Sequence, residues 1–148
     1  KKFLRTIIFI KPDIILVYDD LESENKSQFQ WQWHTPLKLK KKSSNQVEFA
    51  DANVQLSIKA ISKEPMLSVV KKNKLIDMVM PFMGNSLEFK NKTKTKKMQC
   101  LTVISLANPE DKNNLKFNLK NNTVKINLNS QIFTIRLPGK NKLKLTRQ

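Results

Sequence analysis

Phe3–Thr35 reads FLRTIIFIKPDIILVYDDLESENKSQFQWQWHT, and its patterning decides the fold class. Two apolar runs, Thr6–Ile10 and Ile14–Tyr18, are separated only by Lys11-Pro12-Asp13. A polar stretch, Glu22–Ser27, leads to a third run, Phe29-Gln30-Trp31-Gln32-Trp33-His34. β-branched and aromatic residues dominate all three, and none is long enough to specify a helix. The stretch predicts three consecutive antiparallel strands, with a turn at Pro12-Asp13 and the second strand closing at Tyr18-Asp19-Asp20. Pro36 lacks an N–H for a ladder and ends the third.

The pattern continues outward. Lys38–Asn45, KLKKKSSN, predicts a charged loop or frayed edge. Val47–Ala50 and Val54–Ala60 alternate as strands about a turn at Asp51-Ala52-Asn53. Met66–Val70 and Asp77–Phe82 are further strand candidates. The lysine-rich stretch between Lys90 and Lys97 predicts a mobile basic loop. Met98–Leu106, MQCLTVISL, predicts a buried central strand. Leu115–Leu119, Val124–Leu128 and Ile132–Leu137 alternate, with Asn121-Asn122 and Asn129-Ser130 as hairpin turn signals. Many short strands with few helical patterns predict an all-β antiparallel β-sandwich with little or no helix. One domain over residues 1–139 and a frayed basic tail over 140–148 are expected.

Length allows a real core: the chain has 148 residues. It opens on Lys1-Lys2-Phe3 and a strand, as expected of a piece cut from a longer protein. No apolar run approaches the ~20 residues of a membrane span, so no membrane partner is predicted. Lys+Arg number 28 against 12 Asp+Glu, a formal net charge of +16. Such a surface attracts polyanions. The excess is lysine, with arginine only at Arg5, Arg136 and Arg147. Base readout favours arginine, so nucleic acid is expected to bind only non-specifically. An AT-rich genome would produce the same lysine excess, and charge count does not separate the two.

Chemistry is sparse. His34 is the one histidine and Cys100 the one cysteine. No His/Cys metal cluster, internal disulfide or phosphate loop can be assembled, and no catalytic residue, metal or cofactor is predicted. A Cys100–His34 dyad is conceivable, but Cys100 sits in an apolar strand and reads as core. Asp19 and Asp20 are neighbours on a strand and point to opposite faces, a poor acid/base pair. Phe29, Trp31 and Trp33 share one strand face and Gln30, Gln32 and His34 the other. The aromatic ladder reads first as sandwich core and second as a sugar-stacking platform.

Arg5, Ile8-Phe9-Ile10, Ile14–Tyr18 with Asp19, Trp31-Gln32-Trp33-His34, Gln99–Leu106 and Val124–Leu137 recur in the same order in one family. The chain resembles the C-terminal β-sandwich of heparinase II/III-like polysaccharide lyases. Asn129-Ser130 stands where that family usually has a glycine turn. The resemblance implies a missing N-terminal α/α toroid, which in such lyases carries the catalytic Asn, Tyr and His for β-elimination. It implies a non-catalytic sandwich that buttresses the toroid and lines the cleft for a uronate-containing acidic polysaccharide, heparin-, heparan- or alginate-like. His34, Lys38, Lys40 and Lys41 are the candidate substrate-binding residues. A periplasmic or secreted location follows from the resemblance alone. The alternatives are a free-standing module for acidic glycan or nucleic acid, and a purely structural sandwich.

Overall fold

The computed structural model describes residues 1–10, 12–76, 81–108, 116–120, 123–128, 131–136 and 144–147. Every regular element among them is a β-strand, and all pairings are antiparallel. The chain divides into two compact units, Lys1–Pro109 and Glu110–Gln148.

The first unit is a sandwich of two sheets. Its larger sheet contains β1 (Lys2–Ile10), β2 (Ile14–Ser27), β4 (Lys38–Lys42), β5 (Gln46–Ala50), β6 (Gln55–Ser62) and β9 (Thr95–Ala107). They lie in the order β1-β2-β9-β6-β5-β4. The smaller sheet has the order β3-β8-β7, from β3 (Gln30–Thr35), β7 (Met66–Ile76) and β8 (Pro81–Asn91). One core cluster joins them: Leu21, Val47, Phe49, Ile58, Met98 and Cys100 from the larger sheet meet Trp31, Met66, Leu87 and Phe89 from the smaller. Phe49, Leu87 and Phe89 are fully buried, each worth roughly 1.5–3 kcal/mol over an exposed side chain.

Alternation explains the layers. Met98–Leu106 lies within β9, between β2 and β6 as expected of a central strand. Side chains on both faces of β2 and β9 are buried, including Leu16, Val17, Tyr18, Leu101 and Val103. That is why both read as continuous apolar runs. The predicted first turn is present at Pro12-Asp13, where the Asp13 carbonyl accepts the Leu106 N–H at 2.9 Å.

The structure differs from the sequence reading at several places. The first three strands are consecutive, but β3 pairs with β8 in the other sheet rather than with β2. β2 does not close at Asp20; it continues through Glu22–Ser27, with a register irregularity between Glu22 and Ser27. Two polar residues at its middle are tolerated because partners on β1 hold their charges. Lys38–Lys42 is an edge strand, β4, with a bulge between Leu39 and Lys41. The basic loop shrinks to Lys92–Lys94 and is anchored by Asn91. That side chain is fully buried; its Oδ1 accepts the Phe29 N–H at 2.6 Å and its Nδ2 donates to the Thr93 carbonyl at 2.5 Å. Of the Asp77–Phe82 candidate, residues 77–80 lie outside the described residues.

The second unit holds one sheet in the order β10-β11-β12-β13: β10 (Lys116–Lys120), β11 (Thr123–Leu128), β12 (Gln131–Arg136) and β13 (Lys144–Arg147). Val124, Ile126, Phe133 and Ile135 are buried, as their alternation requires. Lys144–Arg147, expected to fray, instead pairs with β12. The two asparagine turn signals lie outside the described residues.

Candidate functional site

Two places gather polar chemistry in the first unit. The first is buried. Arg5 on β1 stands directly opposite Asp19 on β2, which stands opposite Cys100 on β9. The Asp19 carboxylate is fully buried. Arg5 Nε donates to its Oδ1 at 2.6 Å and Nη2 to its Oδ2 at 3.0 Å. Trp31 Nε1, from the other sheet, donates to Oδ2 at 2.5 Å. The bond with Asp19 raises the Arg5 pKa above its ordinary value, and Asp19's charge adds to the effect. A buried charge is tolerable only when paired and hydrogen-bonded, and this one has three donors. Every oxygen of Asp19 is therefore engaged by the protein itself, which makes the cluster a structural link rather than a proton-transfer site.

Cys100 lies beside it. The thiol is buried, and burial first, with Asp19's negative charge adding, pushes its pKa up to about 12. A thiol held neutral is neither nucleophile nor metal ligand. The conceivable Cys100–His34 dyad is excluded by direction. Trp33 packs on the core between the sheets, so its strand neighbour His34 is turned outward, and it is exposed. Among the described residues no group of three His, Cys, Asp or Glu could hold a metal ion.

The aromatic ladder is core. Trp31 is buried, and Phe29 and Trp33 are half-buried against the same cluster. The opposite face of β3 presents Gln30, Gln32 and His34 to solvent, in register with Lys90, Glu88 and Ser86 of β8. No aromatic ring of the ladder is offered there for sugar stacking.

The second place is the β4 edge. All five of its residues are exposed, and four are lysines. Register puts Lys38 opposite Ala50 and Lys41 opposite Glu48, on the face turned away from the smaller sheet. Lys40 is the bulged residue between them. Among the described residues, none of these ammonium groups has an ion-pair partner. The four predicted binding residues thus do not converge. Lys38, Lys40 and Lys41 share one edge, whereas His34 stands on the outer face of the other sheet. Alternation across Thr35-Pro36-Leu37 separates them, with the Leu37 carbonyl held by Asn85 Nδ2 at 2.7 Å.

A shallow cleft of about 270 Å³ lies elsewhere, lined by Asp20, Ser62, Lys63, Glu64, Lys97, Met98 and Gln99. Its charges cancel: Asp20 pairs with Lys2, and Lys97 pairs with Glu22 at 3.3 Å. It is poorly suited to an anion. What sequence reasoning missed is the Arg5–Asp19–Trp31 link. The signal was present, since Arg5 and Asp19 fall opposite each other in any tight hairpin centred on Pro12.

No protein-family model matches the chain, and no curated protein matches it. Among solved structures, the fold is similar to part of the heparan sulfate lyase HepC from Pedobacter heparinus. The TM-score is 0.71 at 13% identity, over 99% of this chain and 23% of that one. The chain therefore shares a fold with about a quarter of a polysaccharide lyase.

Proposed function

We propose that this chain is the non-catalytic β-sandwich of a polysaccharide lyase acting on uronate-containing acidic polysaccharide. The observation that carries the reading is the fold likeness over nearly the whole chain to part of a heparan sulfate lyase. In this reading an α/α toroid elsewhere in the same protein performs β-elimination, and the sandwich buttresses it. The β4 lysines line one wall of the substrate cleft. A polysaccharide substrate places the protein in the periplasm or outside the cell.

The lysine edge supports the part played by charge. Lys38, Lys40, Lys41 and Lys42 are exposed and carry no described ion pair, so their field is available to a polyanion. Lysine acts as a point charge without bidentate geometry, so attraction should be diffuse and salt-sensitive. The same edge favours a second reading, a free-standing polyanion module that accepts nucleic acid as readily as glycan.

The test is retention on heparin during a salt gradient, with DNA as competitor. Neutralising Lys38, Lys40, Lys41 and Lys42 to glutamine should move elution to clearly lower salt. His34→Ala should leave elution unchanged, because it stands on another face. Unaltered retention of the quadruple variant would remove β4 from the reading. Competition by DNA is expected on either reading, because lysine charge does not distinguish polyanions, whereas salt-resistant binding to one polysaccharide only would mean a specific sugar site. Fusion of the chain to a toroid-containing lyase lacking its own sandwich, with recovered activity, would support the buttressing role.

A further inference from the structure

The larger sheet has two edges of opposite character. β4 carries lysines and a bulge, the usual devices that stop another strand from adding. β1 has neither. Its register with β2 is unbroken from Lys2 to Ile10, it contains no proline, and no described strand pairs with its outer side. Alternation puts Phe3, Arg5, Ile7 and Phe9 on the face that carries the sandwich core. The three-stranded sheet leaves them uncovered: Phe3 is 70% exposed, Ile7 64% and Phe9 55%. A single exposed apolar residue is ordinary, but a contiguous row along an open edge is not.

Within β1 the side-chain charges are paired, in a chain of net charge +16. Lys2 is paired with Asp20, Arg5 with Asp19 and, one strand further in, Lys97 with Glu22. Polyanions are therefore drawn to β4, and β1 is left with unused backbone donors and acceptors beside an apolar row. Its natural occupant is another apolar strand.

We propose that β1 is a self-association edge, on which two copies of the chain pair β1 to β1 antiparallel about a two-fold axis at Thr6. In that register Phe3 lies opposite Phe9 of the partner subunit, and Leu4 opposite Ile8 of the partner subunit. Ile7 meets Arg5 of the partner subunit, whose charge is already held within its own chain. The row is thus self-complementary, as an isologous contact requires. Given ~200 Å² for a phenylalanine, the exposed side chains offer on the order of 300–400 Å² per copy. With the strand backbone added, the total approaches ~1,000 Å², the lower bound of a specific interface. The dimer is accordingly weak and concentration-dependent.

Sedimentation equilibrium of the 148-residue chain, from micromolar to millimolar concentration, tests this. A monomer–dimer equilibrium should strengthen as salt is raised, because screening weakens the repulsion between two basic chains. Polyanion binding would weaken under the same change. Ile7→Lys, at an exposed position, should restore the monomer with unchanged circular dichroism. Thr6→Cys should give a disulfide-linked dimer under mild oxidation, while the parent chain, with Cys100 buried, should not. A chain that stays monomeric at millimolar concentration in high salt overturns the proposal. So does a dimer indifferent to Ile7→Lys, or a Thr6→Cys variant that does not cross-link.

Discussion

Trp31 and Asp19 join the two sheets of the sandwich by a buried polar bond, the indole N–H donating to the carboxylate at 2.5 Å. The same carboxylate is forked by Arg5 within the larger sheet. An apolar interior resists sliding only weakly, whereas a directional bond fixes one alignment of the sheets. Trp31→Phe keeps most of the ring and deletes the donor. It should cost about 1–3 kcal/mol, read from urea unfolding. No loss would mean that packing alone sets the alignment.

Trp33 supplies the contrast. Its Nε1 is buried and has no hydrogen-bond partner among the described residues. An unsatisfied buried donor costs about 1–3 kcal/mol, so deleting it is no burden. Trp33→Phe should be neutral or stabilising, although the residue lies two positions from Trp31. Equal destabilisation by the two substitutions would contradict this.

Arg5 and Asp19 should be unequal partners. The Arg5 side chain is 41% exposed and can turn to water, whereas that of Asp19 is wholly enclosed. Arg5→Ala leaves a buried charge with Trp31 as its remaining described donor and should cost about 3–5 kcal/mol. Asp19→Asn removes the charge itself and should cost less. Unfolding curves of the two variants and their double mutant measure the coupling, and the opposite order would refute the assignment of burial.

Alkaline pH should unfold the chain. Burial holds Cys100 neutral, raising its pKa from 9.0 to about 12. Burial, aided by the charge of Asp20, raises Tyr18 from 10.0 to about 12. In both cases the unfolded chain releases its proton first, so stability is whole below pH 9 and drains away as pH climbs toward 12. For Cys100 the shift corresponds to on the order of 4 kcal/mol. Cys100→Ala should flatten the fall that begins near pH 9, and denaturant melts across that range would show it. A thiol reagent should label native Cys100 only at the rate of unfolding.

The 148-residue chain alone should form no unsaturated uronate from heparin, heparan sulfate or alginate. Its one tyrosine is buried within β2, and its one histidine stands alone on an outer face. Ultraviolet absorbance of the elimination product is the measurement, and a rising signal from purified chain would overturn the non-catalytic reading.

Much of this was legible in the sequence, for a physical reason. Alternation in β3, β6 and β11 reports which face is buried, and strand period needs no tertiary knowledge. The central place of β9 followed from its unbroken apolar run. Sheet membership was not legible, because the same alternation in β3 serves equally beside β2 or across the core beside β8. The extension of β2 past Asp19-Asp20 was hidden for a related reason. Paired acids look like a strand end until Arg5 and Lys2 are seen opposite them. The scattering of His34 from the lysines arose from Pro36-Leu37, where the chain passes from one sheet to the other and sequence proximity ceases to mean a shared surface.

The inequality of the two edges of the larger sheet sets a limit on growth. A building block with sticky ends on both sides polymerises; one with a single sticky end can only be capped. Lysines and a bulge close the β4 end. Whatever strand meets β1 therefore terminates the array in the act of joining it. For the larger sheet the valence is thus one: an open apolar strand along one side meets no second open edge on the other.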